Sequence, residues 1–431
     1  MSDINTLFYE LIRVAIGTQE TLSRLPSHST GSGLTPAEWE ELFEMAVKQS
    51  LVGVCFCGIH QLGADSDEGY VQIGMSEDLY FDWMGMAAQI NMKNELVNQQ
   101  CVELQKRLAA EGFRSSILKG QGIAALYRLH ENEDENEDED ENENCRQDGS
   151  LNPKPSTINL SGFRQSGDID IYVDCGREKA IEYARSIQGD VDWDYKHLHL
   201  KVFDTSTGSA TDTAVEMHYV PEVFLNLRKN RKLQKWFKEN QKMIFNENED
   251  VNENDPSAGS GTSLSGEMVC PSVEFNLFYI LLHTYRHFLY EGVGMRQLMD
   301  YFFVLQTNGS KGKEGIESKE RVLTVIKQFG MTRFASGVMW IMKDVFGLPD
   351  RLLLCKPDVN EGRYILAEVM AGGNFGHHDA RLADGKQAGR LHTVKKILKH
   401  NLHLLTHYPA DTLWTPVWIL YHWGWKRLHR F

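Results

Sequence analysis

Three carboxylates on two predicted strands are the residues of this sequence that are best placed to do chemistry. Asp168 and Asp170 alternate within the segment GDIDIYV, and Glu216 precedes His218 by two positions within AVEMHYV. Because alternate residues of a strand share one face, each segment places these polar residues on the side opposite its apolar ones. If the strands are neighbours, the three carboxylates form a cluster of oxygen ligands that suits Mg²⁺ or Mn²⁺.

A glycine-containing turn precedes these strands. The predicted strand FRSSIL is followed by Lys119, Gly120 and Gly122, and then by a helical GIAALYRL. Glycines let backbone N–H groups approach a polyphosphate near the start of a helix, and Lys119 adds a positive charge. Arg164 and Ser166, just before the first acidic strand, are further candidates for phosphate contacts. The pattern therefore predicts a nucleotide-binding turn.

These motifs resemble the nucleotidyltransferase superfamily of the DNA polymerase β type, and within it the group called uncharacterised nucleotidyltransferases. The group's order of LKG, R..GDID and ElH occurs here as LKG ending at Gly120, as Arg164 followed by GDID, and as EMH starting at Glu216. GMRQLMD at 294–300 and GNFG at 373–376 resemble its helical landmarks. Gln121 stands where the wider superfamily has a small residue. The resemblance extends over about residues 35–420.

The resemblance implies an activity and a set of ligands. Asp168, Asp170 and Glu216 would bind two Mg²⁺ or Mn²⁺ ions, and the turn at Gly120 with Lys119 would hold the phosphates of an NTP. The implied reaction transfers a nucleoside monophosphate from the NTP to an unidentified acceptor, with release of pyrophosphate.

Several other residues are candidates for supporting roles. His218 is either a hydrogen-bonded strand histidine or a catalytic base. Arg296 and Asp300, four positions apart on a predicted helix, either form an ion pair on that helix or line a cleft opposite the sheet. His283 and His287 have a spacing that can bind zinc, but the glutamate of an HExxH motif is missing, so we expect packing histidines.

The elements that carry these residues indicate an α+β protein with a small mixed sheet flanked by helices. The strand and helix patterns divide the chain into an N-terminal helical region (1–110), a nucleotidyltransferase core (111–245) with a disordered insertion (about 131–161), a second disordered insertion (246–266) and a C-terminal helical domain (267–431).

Charge does not identify a partner. The net charge of −15 arises from 45 basic and 60 acidic residues among 431, and two runs at 131–144 and 246–255 contain fifteen of the acids and no base. The remainder is therefore balanced, and we expect no duplex nucleic acid partner. The oligomeric state is not predicted.

Cysteine usage and hydropathy favour a cytoplasmic protein without a membrane span. The seven cysteines form no CxxC pair, the first residues lack a basic signal region, and no apolar stretch reaches the length of a membrane helix. Cys55 and Cys57 are expected to be buried apolar residues. The aromatic C-terminal segment LWTPVWILYHWGWKRLHRF is expected to pack on its own chain rather than on a membrane.

Two alternative functions remain open from the sequence. A D-x-D motif also chelates the diphosphate of a sugar nucleotide, so a metal-dependent glycosyltransferase is possible; it requires a larger sheet, with nucleotide-binding strands before the D-x-D. The other alternative is a catalytically inactive nucleotide-binding or scaffold protein.

Overall fold

The computed structural model of the protein describes residues 4–24, 33–64, 73–127, 160–202, 213–247, 268–373 and 402–429. Most of both predicted insertions, the turn of the β3–β4 hairpin described below and the GNFG segment beyond Gly373 lie outside these residues. One predicted boundary is wrong: Leu160 and Ser161, placed in the first insertion, are buried and begin a short helix. Leu160 is held there because it packs into the helical core.

The N-terminal region consists of helices, as predicted. They are α1 (Ile4–Ala15), α2 (Pro36–Gln49), α3 (Val52–Ile59), which continues into a π-helical turn (His60–Ala64), and the long α4 (Glu77–Ala110). Helix α4 ends at Gly112, whose φ of 79° is the left-handed conformation expected after a helix. The N–H of Phe113 donates to the carbonyl oxygen of Leu108 across this end (2.9 Å).

Helix α2 begins with a capping box. The N–H of Glu38 donates to the Thr35 hydroxyl (3.3 Å), and the Thr35 N–H donates to the Glu38 carboxylate (2.8 Å). Arg24 also donates to this carboxylate, so the pKa of Glu38 is lowered to about 2, mainly by Arg24 and then by the Thr35 N–H. The sequence signal LTPAE therefore marks a helix start that two side chains stabilise.

The strands form a mixed sheet in the middle of the chain. Among the described residues, β1 (Ser115–Ile117), β2 (Ile169–Val173), β3 (His197–Leu200) and β4 (Val215–His218) have the spatial order β1-β2-β4-β3. Strand β2 is parallel to β4 and antiparallel to β1, and β3 is antiparallel to β4. The predicted α+β fold class is confirmed. Only β1 precedes β2 in the described part of the chain, so the larger sheet that a glycosyltransferase requires is not found there.

One face of the sheet is apolar and covers a core of its own. Ile171, Met217 and Leu198, from the three adjacent strands, are fully buried. They pack with side chains of α4 and of α7 (Gly176–Gln188), the helix that follows β2. The alternation of apolar and polar residues thus leaves the polar side chains on the opposite face. The short helices α5 (Gln121–Ala124) and α6 (Leu160–Phe163) lie between β1 and β2 in sequence.

The described residues after the sheet are mostly helical, as predicted from Val273 onward. The helices are α8 (Leu227–Glu239), α9 (Gln241–Ile244), α10 (Val273–Tyr290), α11 (Met295–Ser310), α12 (Gly312–Gln328), α13 (Thr332–Asp344), a 3₁₀ turn (Asp350–Leu352), α14 (Val359–Gly372), α15 (Pro409–Thr412) and α16 (Thr415–His429). Of these, α8 and α9 lie within the predicted core. Helices α8 to α14 share one hydrophobic core with the N-terminal helices. Gln49 joins the two regions: its side chain donates to the Val369 carbonyl (3.1 Å) and accepts from the Met295 N–H (3.0 Å).

The aromatic C-terminal helix packs on its own chain, as expected. The ring of Trp425 in α16 meets Trp193 edge to face at 5.5 Å and lies 5.4 Å from Tyr195. Leu420 and Trp423 on the same helix stay exposed. Within the described ranges, no helix combines the length and apolar character needed to cross a bilayer. Cys55 and Cys57 are buried free thiols, as expected.

Candidate active site

The pairing of β2 with β4 brings the predicted carboxylates together. Asp170 and Glu216 are register partners on these parallel strands, and Asp168 lies one residue before β2. Asp170 is buried and Asp168 is exposed at the mouth of the site. Burial raises the pKa of Asp168, and the negative charges of Asp170 and Glu216 raise it further. Repulsion of this kind favours a bound cation.

Lys119 and His218 already face the carboxylates. The Lys119 ammonium lies 3.1 Å from Asp170 Oδ1, and His218 Nε2 lies 3.1 Å from the same oxygen and 3.4 Å from Glu216 Oε2. Burial alone would lower the pKa of His218, but its contacts with Asp170 and Glu216 outweigh burial, so the pKa is raised. Burial would likewise lower the pKa of Lys119, yet the two carboxylates raise it. His218 therefore belongs to the site as a partner of two carboxylates.

The turn after β1 depends on its glycines for two different reasons. Gly120 has a φ of 63° and a ψ of −108°, a conformation that a side chain would strain. Gly122 has ordinary φ, but a Cβ there would lie 2.6 Å from the carbonyl oxygen of Ile117. Gly122 therefore allows α5 to pack against the end of β1. A contact of either glycine with a polyphosphate stays a prediction.

Gln121 does not occupy the space beside Lys119. Its amide donates to Asn98 on α4 (2.6 Å), and both residues line a separate cavity of about 440 Å³. The large residue at a position where the wider superfamily has a small one is therefore accommodated away from the carboxylates.

A cleft of about 100 Å³ separates the carboxylates from the C-terminal helices. Its sheet side includes Lys119, Gly120, Asp168 and Asp170, and its helical side includes His283 and Arg296. The cleft therefore joins two of the predicted metal ligands, Asp168 and Asp170, with the predicted phosphate turn and the helical domain.

Arg164 and Asp300 form a buried ion pair across this cleft. Arg164 Nε donates to Asp300 Oδ1 at 2.6 Å and Nη2 to Oδ2 at 2.7 Å, and the Tyr127 hydroxyl adds a hydrogen bond of 3.0 Å. Burial would lower the pKa of Arg164, but Asp300 outweighs it and the pKa is raised. The role in nucleotide binding predicted for Arg164 and for the buried Ser166 stays a prediction.

Arg296 does not pair with Asp300 in the described structure, although the two are four residues apart on α11. Its guanidinium Nη1 instead donates to the Gln165 carbonyl at 2.8 Å and to the Ser166 carbonyl at 3.4 Å. Burial, and next the charge of Arg164, lower the pKa of Arg296 to about 10. Of the two alternatives from the sequence, the structure therefore favours the one in which Arg296 and Asp300 line the cleft.

The segment that leads into β2 is held by two N-terminal helices. Asn94 on α4 donates to the carbonyl oxygens of Gly162 and Arg164, both at 2.6 Å. Gly53 on α3 lies against α6 so closely that a Cβ would be 2.2 Å from the Phe163 carbonyl oxygen. These contacts fix the backbone immediately before β2.

His197 is a site residue that sequence reasoning missed. It lies directly opposite His218 in the β3–β4 pair, and its Nε2 is 3.7 Å from Glu216 Oε1. Burial, and next the positive charge of His218, lower the pKa of His197 to about 4. Alternation in HLHLKVF, combined with hairpin pairing to AVEMHYV, was the signal that could have placed it beside Glu216.

The histidines at helix spacing are packing residues, as expected. His283 Nδ1 lies 2.8 Å from Glu222, and His287 Nδ1 lies 2.7 Å from Glu291. Glu222, fully buried, also lies 3.0 Å from Arg286 Nε. The sequence did not single out Glu222, because its partners lie on α10, more than sixty residues away.

The fold and the cleft are those expected of a nucleotidyltransferase-type protein. The chain belongs to the uncharacterised nucleotidyltransferase family, whose model matches residues 35–130 and 160–347. The match therefore covers the N-terminal helices from α2 onward, the sheet and the helices that line the cleft, and it breaks off where the first acidic run begins. No curated protein and no solved structure matches the chain.

Proposed function

We propose that this protein is a Mg²⁺- or Mn²⁺-dependent enzyme that transfers a nucleoside monophosphate from an NTP to an acceptor, with release of pyrophosphate. The observation that carries the proposal is that Asp168 and Asp170 line one cleft with Lys119 and Gly120, and that Glu216 is the register partner of Asp170 on the adjacent strand. Family membership supports nucleotidyl transfer in general; the metal, the NTP and the acceptor belong to the proposal.

The carboxylates fit a divalent ion by their chemistry. Their oxygens are the ligands that Mg²⁺ and Mn²⁺ prefer. The pKa of Asp168 is raised by burial and next by the negative charges of Asp170 and Glu216, which a cation would offset. Asp168 and Asp170 would hold the ions from β2, and Glu216 from β4. Bound divalent ions neutralise phosphate charge and activate the attacking oxygen in phosphoryl transfer.

The remaining residues suggest how the substrate would lie. Lys119 and the Gly120 turn adjoin Asp170 on the β1 side, so the β- and γ-phosphates would bind there. An acceptor oxygen on the Glu216 side would attack the α-phosphorus, forming one P–O bond. The bond from the α-phosphorus to the oxygen bridging to the β-phosphate breaks, pyrophosphate leaves with the electron pair, and the acceptor proton passes to solvent.

Transfer of label from α-labelled NTPs tests the proposal, with Mg²⁺ and a cell extract as the acceptor source. We expect Asp168→Asn and Asp170→Asn each to lower transfer by at least about 100-fold, since even indirect partners of metal ligands cost 10–100-fold. Asp174→Asn is the control, because Asp174 lies just beyond the other end of β2 and pairs with Arg114 at 2.7 Å. The proposal would be contradicted if the wild-type protein transfers no label, or if the Asp168 and Asp170 variants transfer as much label as the wild type.

One observation favours an inactive nucleotide-binding protein as the second candidate. Lys119 and His218 both lie 3.1 Å from Asp170 Oδ1, so the carboxylates are partly neutralised without a metal ion. Calorimetry separates the candidates: binding of an NTP with Mg²⁺ but no transfer of label supports the inactive protein.

A further inference from the structure

Two imidazoles extend the carboxylate cluster on its β3 side. The potential ligand atoms of His197, Glu216 and His218 all lie within 4.8 Å of one another. His218 Nε2 is 3.4 Å from Glu216 Oε2, and His197 Nε2 is 3.7 Å from Glu216 Oε1. Asp170 Oδ1 lies 3.1 Å from His218 Nε2 at the edge of this group.

Two of these separations, from His218 Nε2 to Glu216 Oε2 and from His197 Nε2 to Glu216 Oε1, are close to those of ligands around a single ion. Metal–ligand bonds of about 2.0–2.1 Å in a tetrahedral site place the ligand atoms roughly 3.3–3.4 Å apart. The His218–Glu216 distance agrees with this spacing, and the His197–Glu216 distance exceeds it by only a few tenths of an ångström. The pairing of β3 with β4 therefore already places the donors, and small side-chain rotations would complete the site.

Asp194 supports His197 from behind. Its Oδ1 lies 3.7 Å from His197 Nδ1, the ring nitrogen that faces away from Glu216. The same carboxylate oxygen accepts hydrogen bonds from the backbone N–H groups of Lys196 (2.9 Å) and His197 (3.2 Å), which fix its position. A carboxylate behind the far nitrogen of a metal-binding histidine is the usual arrangement in protein metal sites.

We propose that His197, Glu216 and His218 form a binding site for a transition-metal ion such as Zn²⁺, with Asp170 shared between this ion and the one held by Asp168. A role of this site in catalysis rests on the proposed nucleotidyl transfer. Binding of the metal ion does not depend on that proposal. Nitrogen donors favour Zn²⁺ and related ions, while Mg²⁺ prefers oxygen ligands and retains its waters. The two positions would therefore differ in the metal they select.

Calorimetric titration of the chelator-treated full chain with Zn²⁺, in the presence of excess Mg²⁺, tests this inference. We expect one Zn²⁺ per chain and a loss of affinity of at least about 100-fold in His197→Gln and in His218→Gln. Asp194→Asn should weaken binding by about 10–100-fold through His197. His199→Gln is the matched control: His199 lies on the same strand, and its exposed ring is 5.2 Å from that of His197, but it is not in the cluster.

Absorption of the Co²⁺-loaded protein gives a second readout that does not depend on activity. Four-coordinate Co²⁺ with nitrogen ligands absorbs visible light much more strongly than six-coordinate Co²⁺ with oxygen ligands. We expect the intense spectrum in the wild type and in His199→Gln, and its loss in the folded His197→Gln variant, with folding checked by circular dichroism. A weak spectrum in the wild type, displacement of Zn²⁺ by Mg²⁺, or unchanged affinity in both histidine variants would overturn the inference.

Asp168→Asn distinguishes failure of this inference from failure of the proposed function. The variant should lose label transfer and keep its Zn²⁺ affinity, because Asp168 is outside the histidine cluster. Zn²⁺ binding without any label transfer would retain the metal site and refute the enzyme. Label transfer with Mg²⁺ but without Zn²⁺ binding would support the enzyme and refute the Zn²⁺ site. Loss of Zn²⁺ affinity in Asp168→Asn would show that the Zn²⁺ site is not separate from the site of Asp168.

Discussion

The ion pair between Arg164 and Asp300 is expected to be the most costly polar contact of the cleft to break. Both side chains are almost fully buried, at 5% and 7% exposure, and two hydrogen bonds of 2.6 and 2.7 Å join them. Asp300→Asn leaves the guanidinium buried without a counter-ion, which costs about 3–5 kcal/mol of unfolding free energy. Arg296 adds a second buried positive charge nearby, so the cost should lie toward the upper end of this range.

A double-mutant cycle measures the coupling directly. Arg164→Met with Asp300→Asn removes both charges of the pair, so the double variant should be less destabilised than the two single variants added together, by at least about 2 kcal/mol. Urea titrations followed by circular dichroism and by tryptophan fluorescence give the free energies where the two probes coincide. Because the pair is buried, the coupling should change little with salt.

A surface pair provides the control for this cycle. Lys235 and Glu239 lie on α8 at i and i+4, 3.5 Å apart, with 76% and 59% of their side chains exposed. Glu239→Gln should change stability by no more than about 0.5 kcal/mol. If Asp300→Asn lowers the unfolding free energy as little as this control, or if the cycle gives no coupling energy, the Arg164–Asp300 ion pair does not stabilise the fold as argued.

Two further predictions concern the helices that surround the site. Gly53→Ala should destabilise the protein by about 1–3 kcal/mol, because the new Cβ would collide with the Phe163 carbonyl oxygen. Gly85→Ala on α4 is the control: its Cβ would meet no atom within 4 Å, so it should stabilise the protein by up to about 1 kcal/mol. Thermal melting measures both effects, and equal changes in melting temperature would contradict the packing argument. Glu38→Gln should cost about 1 kcal/mol at neutral pH. The folded-state pKa of Glu38 is about 2, below its ordinary 4.5, so this stabilisation is present above pH 4.5 and is lost as the pH falls toward 2. In urea titrations, the difference in unfolding free energy between wild type and variant should therefore shrink below pH 4.5. A difference that does not change with pH would show that the charge of Glu38 contributes nothing to stability.

The local parts of the fold could be predicted from the sequence because they depend on local patterns. Alternation in GDIDIYV and AVEMHYV identified β2 and β4 and the polar face that carries Asp170 and Glu216. A capping sequence at Thr35 marks the start of α2, and Gly112 follows the end of α4. These features follow from strand periodicity and from backbone geometry, which a few neighbouring residues determine.

The contacts between distant segments could not be predicted in the same way. Arg164 and Asp300 are 136 residues apart, and no local pattern specifies their pairing. Glu222 is fully buried because Lys196 and α10 supply its partners, and the sequence shows only an acid after a proline. His197 is the intermediate case, since strand alternation could have placed it on the polar face but only the β3–β4 register places it opposite His218.

Asn94 and Gly53 hold α6 in place, so the chain between Tyr127 and Leu160 can change in length without moving the candidate active site. The hydroxyl of Tyr127 is tied to Asp300 before the first acidic run, and Leu160 is packed into the core after it. Each doubling of the length of a chain segment between two fixed points costs only about 0.6 kcal/mol of closure entropy. The stretch between Tyr127 and Leu160 is therefore a natural point for inserting a reporter domain or an affinity tag, and insertions accumulated there during evolution would leave the strand that carries Asp170 in place.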